Sequence, residues 1–323
     1  MGASGAKRGL TLSLPALLCA GCNDRQSTFA TFGEEAEMLR VLTIALTVGA
    51  AVIALAVALI ARHAVRAPEG ELSHRGGMRL VLCLGGIVPT VVLTALLLFA
   101  LPAMRPRPVG PADLRIASVG EQFWWRVRYQ PPGESPVESA NEVRIPVGRT
   151  VLFELMGGDV IHSFWIPGLA GKMDMIPGRI NRLPVRATEP GRYRGQCTEF
   201  CGLSHALMAF EVVAMEPAAF DRWLAAQRRP AAPAPGAALF AQYGCGGCHA
   251  IRGTPFGGQI GPDLSHFGSR LSLGAGILPT REQTVAAFIR HPEQFKPGVR
   301  MPAFPHMPPR HALTLARYLK GLE

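Results

Sequence analysis

The sequence predicts a chain in three parts: two transmembrane α-helices, then an all-β domain, then a small all-α domain. Three observations carry this reading. Residues 41–60 and 80–101 contain no charged side chain, and each is close to the roughly 20 residues an α-helix needs to cross a bilayer. From residue 112 the texture changes to short alternating runs broken by Pro and Gly, the pattern of half-buried strands. Beyond a Pro- and Ala-rich stretch at residues 227–236 the apolar spacing becomes helical.

The elements follow in chain order. An apolar run at residues 10–20 follows Lys7 and Arg8, the layout of a secretory signal that ends at about residue 21. Its last residues, Cys19-Ala20-Gly21-Cys22, resemble a bacterial lipoprotein signal and imply lipidation at Cys22; an ordinary signal peptide is the alternative. Residues 22–106 then form a membrane anchor. Arg62, Arg66, Arg75 and Arg79 lie in the short loop between the two spans, which marks that loop as cytoplasmic and sends the chain beyond residue 101 outward. The anchor also accounts for part of the net charge of +10, a balance that otherwise suggests nucleic acid. Nothing else in the chain supports that partner. Neither span carries His, Asp, Glu, Lys or Arg, so the chain supplies no haem ligand and no proton relay inside the membrane.

Runs at residues 114–119, 125–129, 143–147 and 151–155 read as strands of a sandwich or barrel spanning residues 112–226, closed by a short helix over 217–227. Residues 227–236 suit a semi-rigid, solvated spacer. The domain at 237–323 has helical patterns at 238–243, 281–290 and 310–322, with a long Gly- and Pro-rich loop between the first two. Nine Lys and Arg against four Asp and Glu give this last domain a net charge of +5, while residues 112–229 carry fourteen against thirteen. Charge alone therefore gives little reason for the two domains to attract.

Cys245-Gly246-Gly247-Cys248-His249 is a haem c attachment sequence. Two thiols three residues apart can bond both vinyl groups while the adjoining imidazole turns onto the iron. A disulfide-exchange pair would leave His249 without a role. The second axial ligand must come from far along the chain. Met301, in the turn-rich run Lys296-Pro-Gly-Val-Arg-Met301-Pro302, is favoured over Met307. The order of helix, Cys-x-x-Cys-His, Gly261-Pro262-Asp263-Leu264, Met-Pro turn and final helix resembles class I cytochrome c. His266, His291, His306 and His311 have no place in that pattern and are read as surface or structural.

Cys197-Thr-Glu-Phe-Cys201-Gly-Leu-Ser-His205-Ala-Leu-Met208 packs thiolate, imidazole and thioether into one loop, the donor set that selects copper. A mononuclear site uses a single Cys. Two thiolates four residues apart can bridge two coppers, and His162 supplies the second imidazole. A disulfide or a Cys2His2 zinc site competes, but neither gives Met208 a use.

These motifs, with Asp159-Val-Ile-His162-Ser-Phe-Trp165, Leu169-Ala-Gly-Lys172 and Ile176-Pro-Gly-Arg179, resemble subunit II of haem-copper cytochrome c oxidase over about residues 25–226. The resemblance implies a cupredoxin-like fold holding the binuclear copper centre CuA. Cys197 and Cys201 would bridge, and His162 and His205 would each ligate one copper. Met208 would be a weak ligand, the Glu199 carbonyl another, and the Glu199 side chain would reach a magnesium ion at the subunit I interface. The family's aromatic segment usually reads Gln-Trp-aromatic-Trp, and its first Trp receives electrons from soluble cytochrome c. Here the segment is Gln122-Phe123-Trp124-Trp125, which shifts the expected electron input to the fused haem domain, as in caa-type oxidases.

The expected role is therefore a redox subunit of a cytochrome c oxidase that does not itself reduce oxygen. The partners are a catalytic subunit I, a subunit III, and a donor such as a cytochrome c or a quinol–cytochrome c reductase complex. The expected location is the bacterial inner membrane, as a multi-pass protein with both redox domains on the outer side. A nitric oxide reductase-type complex and a free-standing tethered carrier are the alternatives.

Overall fold

The computed structural model describes residues 26–68, 70, 71, 73–104, 112, 114–231 and 235–323; the signal segment and Cys22 lie outside the described residues. The first apolar stretch lies within helix α1 (Glu34–Arg66). The second lies within a continuous run made of α2 (His74–Leu80), a π-helical segment (Val81–Ile87) and α3 (Val88–Met104). Both runs are long and apolar enough to cross a membrane, and Val52, Leu93 and Phe99 are among many bare apolar side chains on them. A helix apolar on all sides needs lipid or a partner around it. α1 outruns the predicted span because Glu34, Glu35 and Glu37 occupy its first turn and Arg66 its last, charges that suit the helix dipole at each end. The π segment was not legible beforehand. It lies just upstream of Pro89, whose ring would strike the carbonyl four residues back, and the Val88 N–H bonds Cys83 O five residues back instead.

The β domain is a sandwich of two five-stranded sheets. One has the order β3 (Val137–Ala140), β2 (Trp124–Gln130), β1 (Leu114–Glu121), β5 (Val151–Gly157), β8 (Asn181–Val185). The other runs β4 (Glu142–Pro146), β10 (Ala209–Met215), β9 (Gly191–Cys197), β6 (His162–Trp165), β7 (Met173–Met175). β1 pairs parallel with β5 and β4 with β10; the other pairs are antiparallel. Alternate residues of β1 and β2 point inward, as the two-residue period of a strand requires. They meet an aromatic centre in which Phe164 stacks on Phe210 at 4.6 Å and Trp125 lies edge-on to Phe164 at 5.7 Å. Gly195 makes room for that stack, since a Cβ there would lie 2.0 Å from the Phe210 ring. Helix α4 (Pro217–Gln227) closes the sandwich with Phe220 and Leu224, over the predicted span.

The last domain contains α5 (Ala237–Gln242), the small hairpin β11 (Ser272–Leu273) and β12 (Leu278–Pro279), α6 (Glu282–Arg290), α7 (Pro292–Phe295) and α8 (Pro309–Lys320). Phe240, Ile251, Leu315 and Tyr318 lie in its core. The start of the expected solvated spacer is instead packed. Ala231 is buried in this core and donates its N–H to Arg252 O at 3.0 Å, while the Arg252 guanidinium bonds Gln227 O and His266 Nε2 donates to Arg229 O. The Ala231 methyl lies more favourably in this core than in water.

The two domains meet through specific contacts rather than bulk charge. The tip of the β11–β12 hairpin, Gly274-Ala275-Gly276, enters the edge of the sandwich, where Ala275 is buried in the β-domain core and its carbonyl accepts the Ala209 N–H at 3.0 Å. Arg194 bonds Gly276 O at 2.8 Å, and the buried Glu142 carboxylate accepts the Leu271 N–H at 2.8 Å.

Candidate copper centre and haem pocket

His162 opens β6 and Cys197 ends β9, and the pairing of Phe164 with Cys197 brings the two strands together. The chain then leaves the sheet and returns as β10, with Ala209 opposite Gln196 and the Cys197 N–H on Met208 O at 2.9 Å. The ladder thus closes the loop that carries the other donors. A turn at His205–Leu207 and Gly202, at φ +126°, let this loop curl on itself.

The donors converge. Cys197 Sγ lies 3.9 Å from Cys201 Sγ, 3.8 Å from His162 Nδ1 and 3.3 Å from Glu199 O. Cys201 Sγ lies 3.6 Å from His205 Nδ1 and 3.8 Å from Met208 Sδ. Ligands about 2.3 Å from one tetrahedral ion are about 3.8 Å apart, so these separations suit metal-bound neighbours. Both cysteines are free and buried, far beyond a sulfur–sulfur bond of about 2.05 Å. Each imidazole sits on its own thiol, and a thioether adjoins only one of them. That arrangement fits two copper ions sharing two sulfurs better than a single closed zinc.

The electrostatics favour a thiolate. The hydrogen bond from the Cys201 thiol is the main cause that holds Cys197 well below an ordinary thiol pKa, and the resulting anion holds Cys201 well above it. Burial lowers the His162 pKa, but its bonds to Cys197 and Asp159 outweigh that and raise it. Asp159 responds in the opposite sense: burial raises its pKa, while donors from Gln122, His162 and Val160 bring it below the ordinary carboxylate value. Gly120 leaves space for the His162 ring, which a Cβ would approach to 2.9 Å.

Phe123, Trp124 and Trp125 have three different environments. Trp125 is sealed in the sandwich core, and Trp124 is half-buried with the Arg126 guanidinium 4.7 Å from its ring centre. Phe123 is buried at the domain boundary, against Gly202 of the copper loop and Gly298 of the haem domain. The Glu199 and Phe200 side chains are exposed at the tip of the loop.

The Cys245 to His249 segment borders an apolar cavity. The His249 Nδ1–H donates to Pro262 O at 2.8 Å, which fixes the ring and leaves Nε2 for a metal. Burial pushes the His249 pKa down, favouring the neutral ligand form. Gly261 passes tightly over this ring, where a Cβ would come within 2.6 Å. Met301 lines the same cavity, whereas Met307 is packed in the domain core. The remaining walls include Phe267, Val285, Phe288 and Leu319 from the α domain and Gln122, Phe123, Trp124 and Asn141 from the β domain. An apolar slot with an oriented imidazole at one wall and a thioether at another fits a haem. One of its walls, Phe123, also touches Gly202 of the copper loop.

Sequence reasoning missed several residues. Gln122 donates its side-chain amide to Cys201 O at 2.6 Å, and Asp159 Oδ1 lies 2.9 Å from His162 Nε2. Arg300 reaches Asp159, and buried Lys296 donates to Leu207 O at 3.0 Å and Gly274 O at 2.7 Å. The place of Asp159 three residues before a ligand and of Arg300 beside Met301 were available signals. Asn141 and Lys296 had none.

Both domains have relatives among known proteins. Residues 132–215 match the periplasmic domain family of cytochrome c oxidase subunit II, and residues 233–323 match the cytochrome c family. The chain is 39% identical over 243 residues to cytochrome c oxidase subunit 2 of Alkalihalophilus pseudofirmus, covering 73% of this chain and 68% of that one. It is 32% identical over 253 residues to the subunit 2 of Bacillus sp. strain PS3, covering 73% and 69%. The crystal structure of the periplasmic domain of subunit II of cytochrome oxidase from Bradyrhizobium japonicum shares 32% identity, covering 38% of this chain and 97% of that one, with a TM-score of 0.35. The chain belongs to the cytochrome c oxidase subunit II family, with a cytochrome c domain fused behind the copper domain.

Proposed function

We propose that this chain is the electron-relay subunit of a cytochrome c oxidase, taking electrons at its haem c domain and passing them through the copper site to a catalytic subunit I. The observation that carries this is the shared wall. The cavity beside His249 is bounded by Phe123 and Trp124, and Phe123 rests on the loop of Cys201. When bound, haem c and a copper pair supply one-electron carriers, and spreading the charge over two ions keeps rearrangement on transfer small.

The residues have distinct tasks. Cys245 and Cys248 would tether the haem, Pro262 O orients His249 as one iron ligand, and Met301 would supply a second. Cys197, Cys201, His162 and His205 would hold the copper ions, with Met208 and the Glu199 carbonyl as weaker donors. Phe123 and Trp124 exclude water between the centres, and Trp125 holds the sandwich beneath them.

The exposed tip at Glu199 and Phe200 suits contact with subunit I. A magnesium ion at the interface with subunit I would take the Glu199 side chain as one of its ligands. The chain crosses the bacterial inner membrane twice, with both redox domains outside, beside a subunit III. A cytochrome c or a quinol–cytochrome c reductase complex supplies the haem. Oxygen reduction and proton pumping occur in the partner subunit.

The test is Cys197→Ala in the assembled complex. The expected result is loss of the thiolate-to-copper absorption, a haem that remains reducible, and oxygen uptake reduced to background. Normal uptake in a copper-free variant would overturn the order of carriers.

A further inference from the structure

The haem domain reaches into the copper site through a residue that neither domain's own chemistry requires. Arg300 Nη2 lies 2.8 Å from Asp159 Oδ2, and Asp159 Oδ1 lies 2.9 Å from Nε2 of His162, whose Nδ1 faces Cys197. The carboxylate is fully used. Oδ1 also accepts the Val160 N–H at 2.8 Å, and Oδ2 also accepts the Gln122 N–H at 2.8 Å. Its four lone-pair sites therefore meet four donors, three from the copper domain and one from the haem domain.

The geometry points to Arg300 as a positioning residue for the copper centre, supplied in cis by the haem domain. Seated, it holds the Asp159 carboxylate against His162, so the affinity and electronic character of the copper site depend on docking of the haem domain. This rests on the reading of His162 as a copper ligand. A carboxylate behind a metal-bound imidazole fixes the ring and raises its basicity, and loss of such a partner typically weakens metal binding by about 10–100-fold. The Arg300 side chain is 58% exposed, so the ion pair alone adds little stability. Its effect lies in orientation.

Arg300 can reach Asp159 only when its loop is in place, and that loop is bound to the copper domain at two further points. The Ser204 hydroxyl donates to Pro297 O at 2.6 Å, and Gly298, at φ +75°, lies so close to Leu203 and Phe123 that a Cβ would come within 3.2 and 3.3 Å of them. The same loop carries Met301. Linkage then requires reciprocity: if docking tightens copper, copper must tighten docking by the same factor.

The experiment uses the full chain with haem attached, comparing wild type with Arg300→Ala, Asp159→Asn and the double variant. Copper affinity is read by competition with a chelator, and the thiolate-to-copper absorption is recorded alongside. Asp159→Asn should bind copper about tenfold more weakly, and Arg300→Ala should weaken it in the same direction by a smaller factor, with a shifted absorption band. The double variant should bind no worse than Asp159→Asn alone, because both act through one contact. Protease cleavage between the domains gives a second readout: copper loading should slow it in wild type and much less in Arg300→Ala. Unchanged copper affinity in Arg300→Ala, or additive effects in the double variant, would overturn the inference. Failure of wild type to take up copper would instead remove the copper reading itself.

Discussion

The two cofactor sites are built on opposite plans. At the copper site the protein alone brings its donors to within 3.3–3.9 Å of a neighbouring donor, because β6, β9 and β10 close the loop from both ends. In the haem domain the protein fixes one imidazole and leaves the centre of the domain as a cavity whose walls come partly from its neighbour. The copper site is a pre-shaped cradle. The haem is a missing piece of a core. The lesson is that loss of metal and loss of haem should have unequal structural consequences.

The sharpest way to break this contrast is to prevent haem attachment. In Cys245→Ser with Cys248→Ser, the α domain should lose covalent haem and its cooperative unfolding transition, while the β domain keeps its copper absorption. Haem staining, calorimetry and absorption on one preparation check all three. A still-cooperative α domain would erase the difference between the plans.

A smaller effect separates the two methionines. Met301→Ala should change the spectrum of the reduced haem with a modest change in stability. Met307→Ala should leave the spectrum intact and cost about 2–5 kcal/mol, as truncation of a buried Met does, measured by denaturant unfolding.

The smallest expected effect is the pH dependence of the seam between the regions. Burial pushes Lys296 down to about 7 when the domains are together, whereas an undocked Lys titrates near 10.5. Between these values the docked form holds fewer protons, so docking strengthens as pH rises from about 7 toward 10.5 and is weakest below 7, by at most about 1.4 kcal/mol per pH unit. Thermal unfolding at pH 7 and pH 9 should show this gain, and Lys296→Met should flatten it.

Most of the linear order was legible in the chain. Periodicity located four strands between 114 and 155 and the helix at Pro217–Gln227, since each buries one face and the apolar spacing records it; β3 and the strands from β6 to β10 did not stand out in the same way. The candidate donors of the Cys197–Met208 loop stand out because soft ligands cluster there, whereas His162 lies 35 residues before Cys197 and is sought only because a second copper needs its own imidazole. The seam was not. Ala275 reads as the middle of a Gly-rich loop, and nothing local states that its carbonyl will receive the Ala209 N–H. Lys296 and Arg300 act across the boundary, where partners are chosen by tertiary approach alone. The burial of Ala231 was hidden for a related reason: the composition of the spacer describes how it behaves in water, not that one alanine finds an apolar surface nearby.

The fixed start of the spacer changes the kinetics expected of the chain. With Gln227 O held by Arg252 and Ala231 fixed to the same residue, the haem domain is anchored at the point where it leaves the copper domain. Delivery of an electron then needs no diffusional encounter. The donor is present at a high effective concentration whatever the protein's dilution, and the step between the centres should be first order. Added salt, which screens charged partners that meet from solution, should slow the filling of the haem while leaving its emptying into the copper untouched.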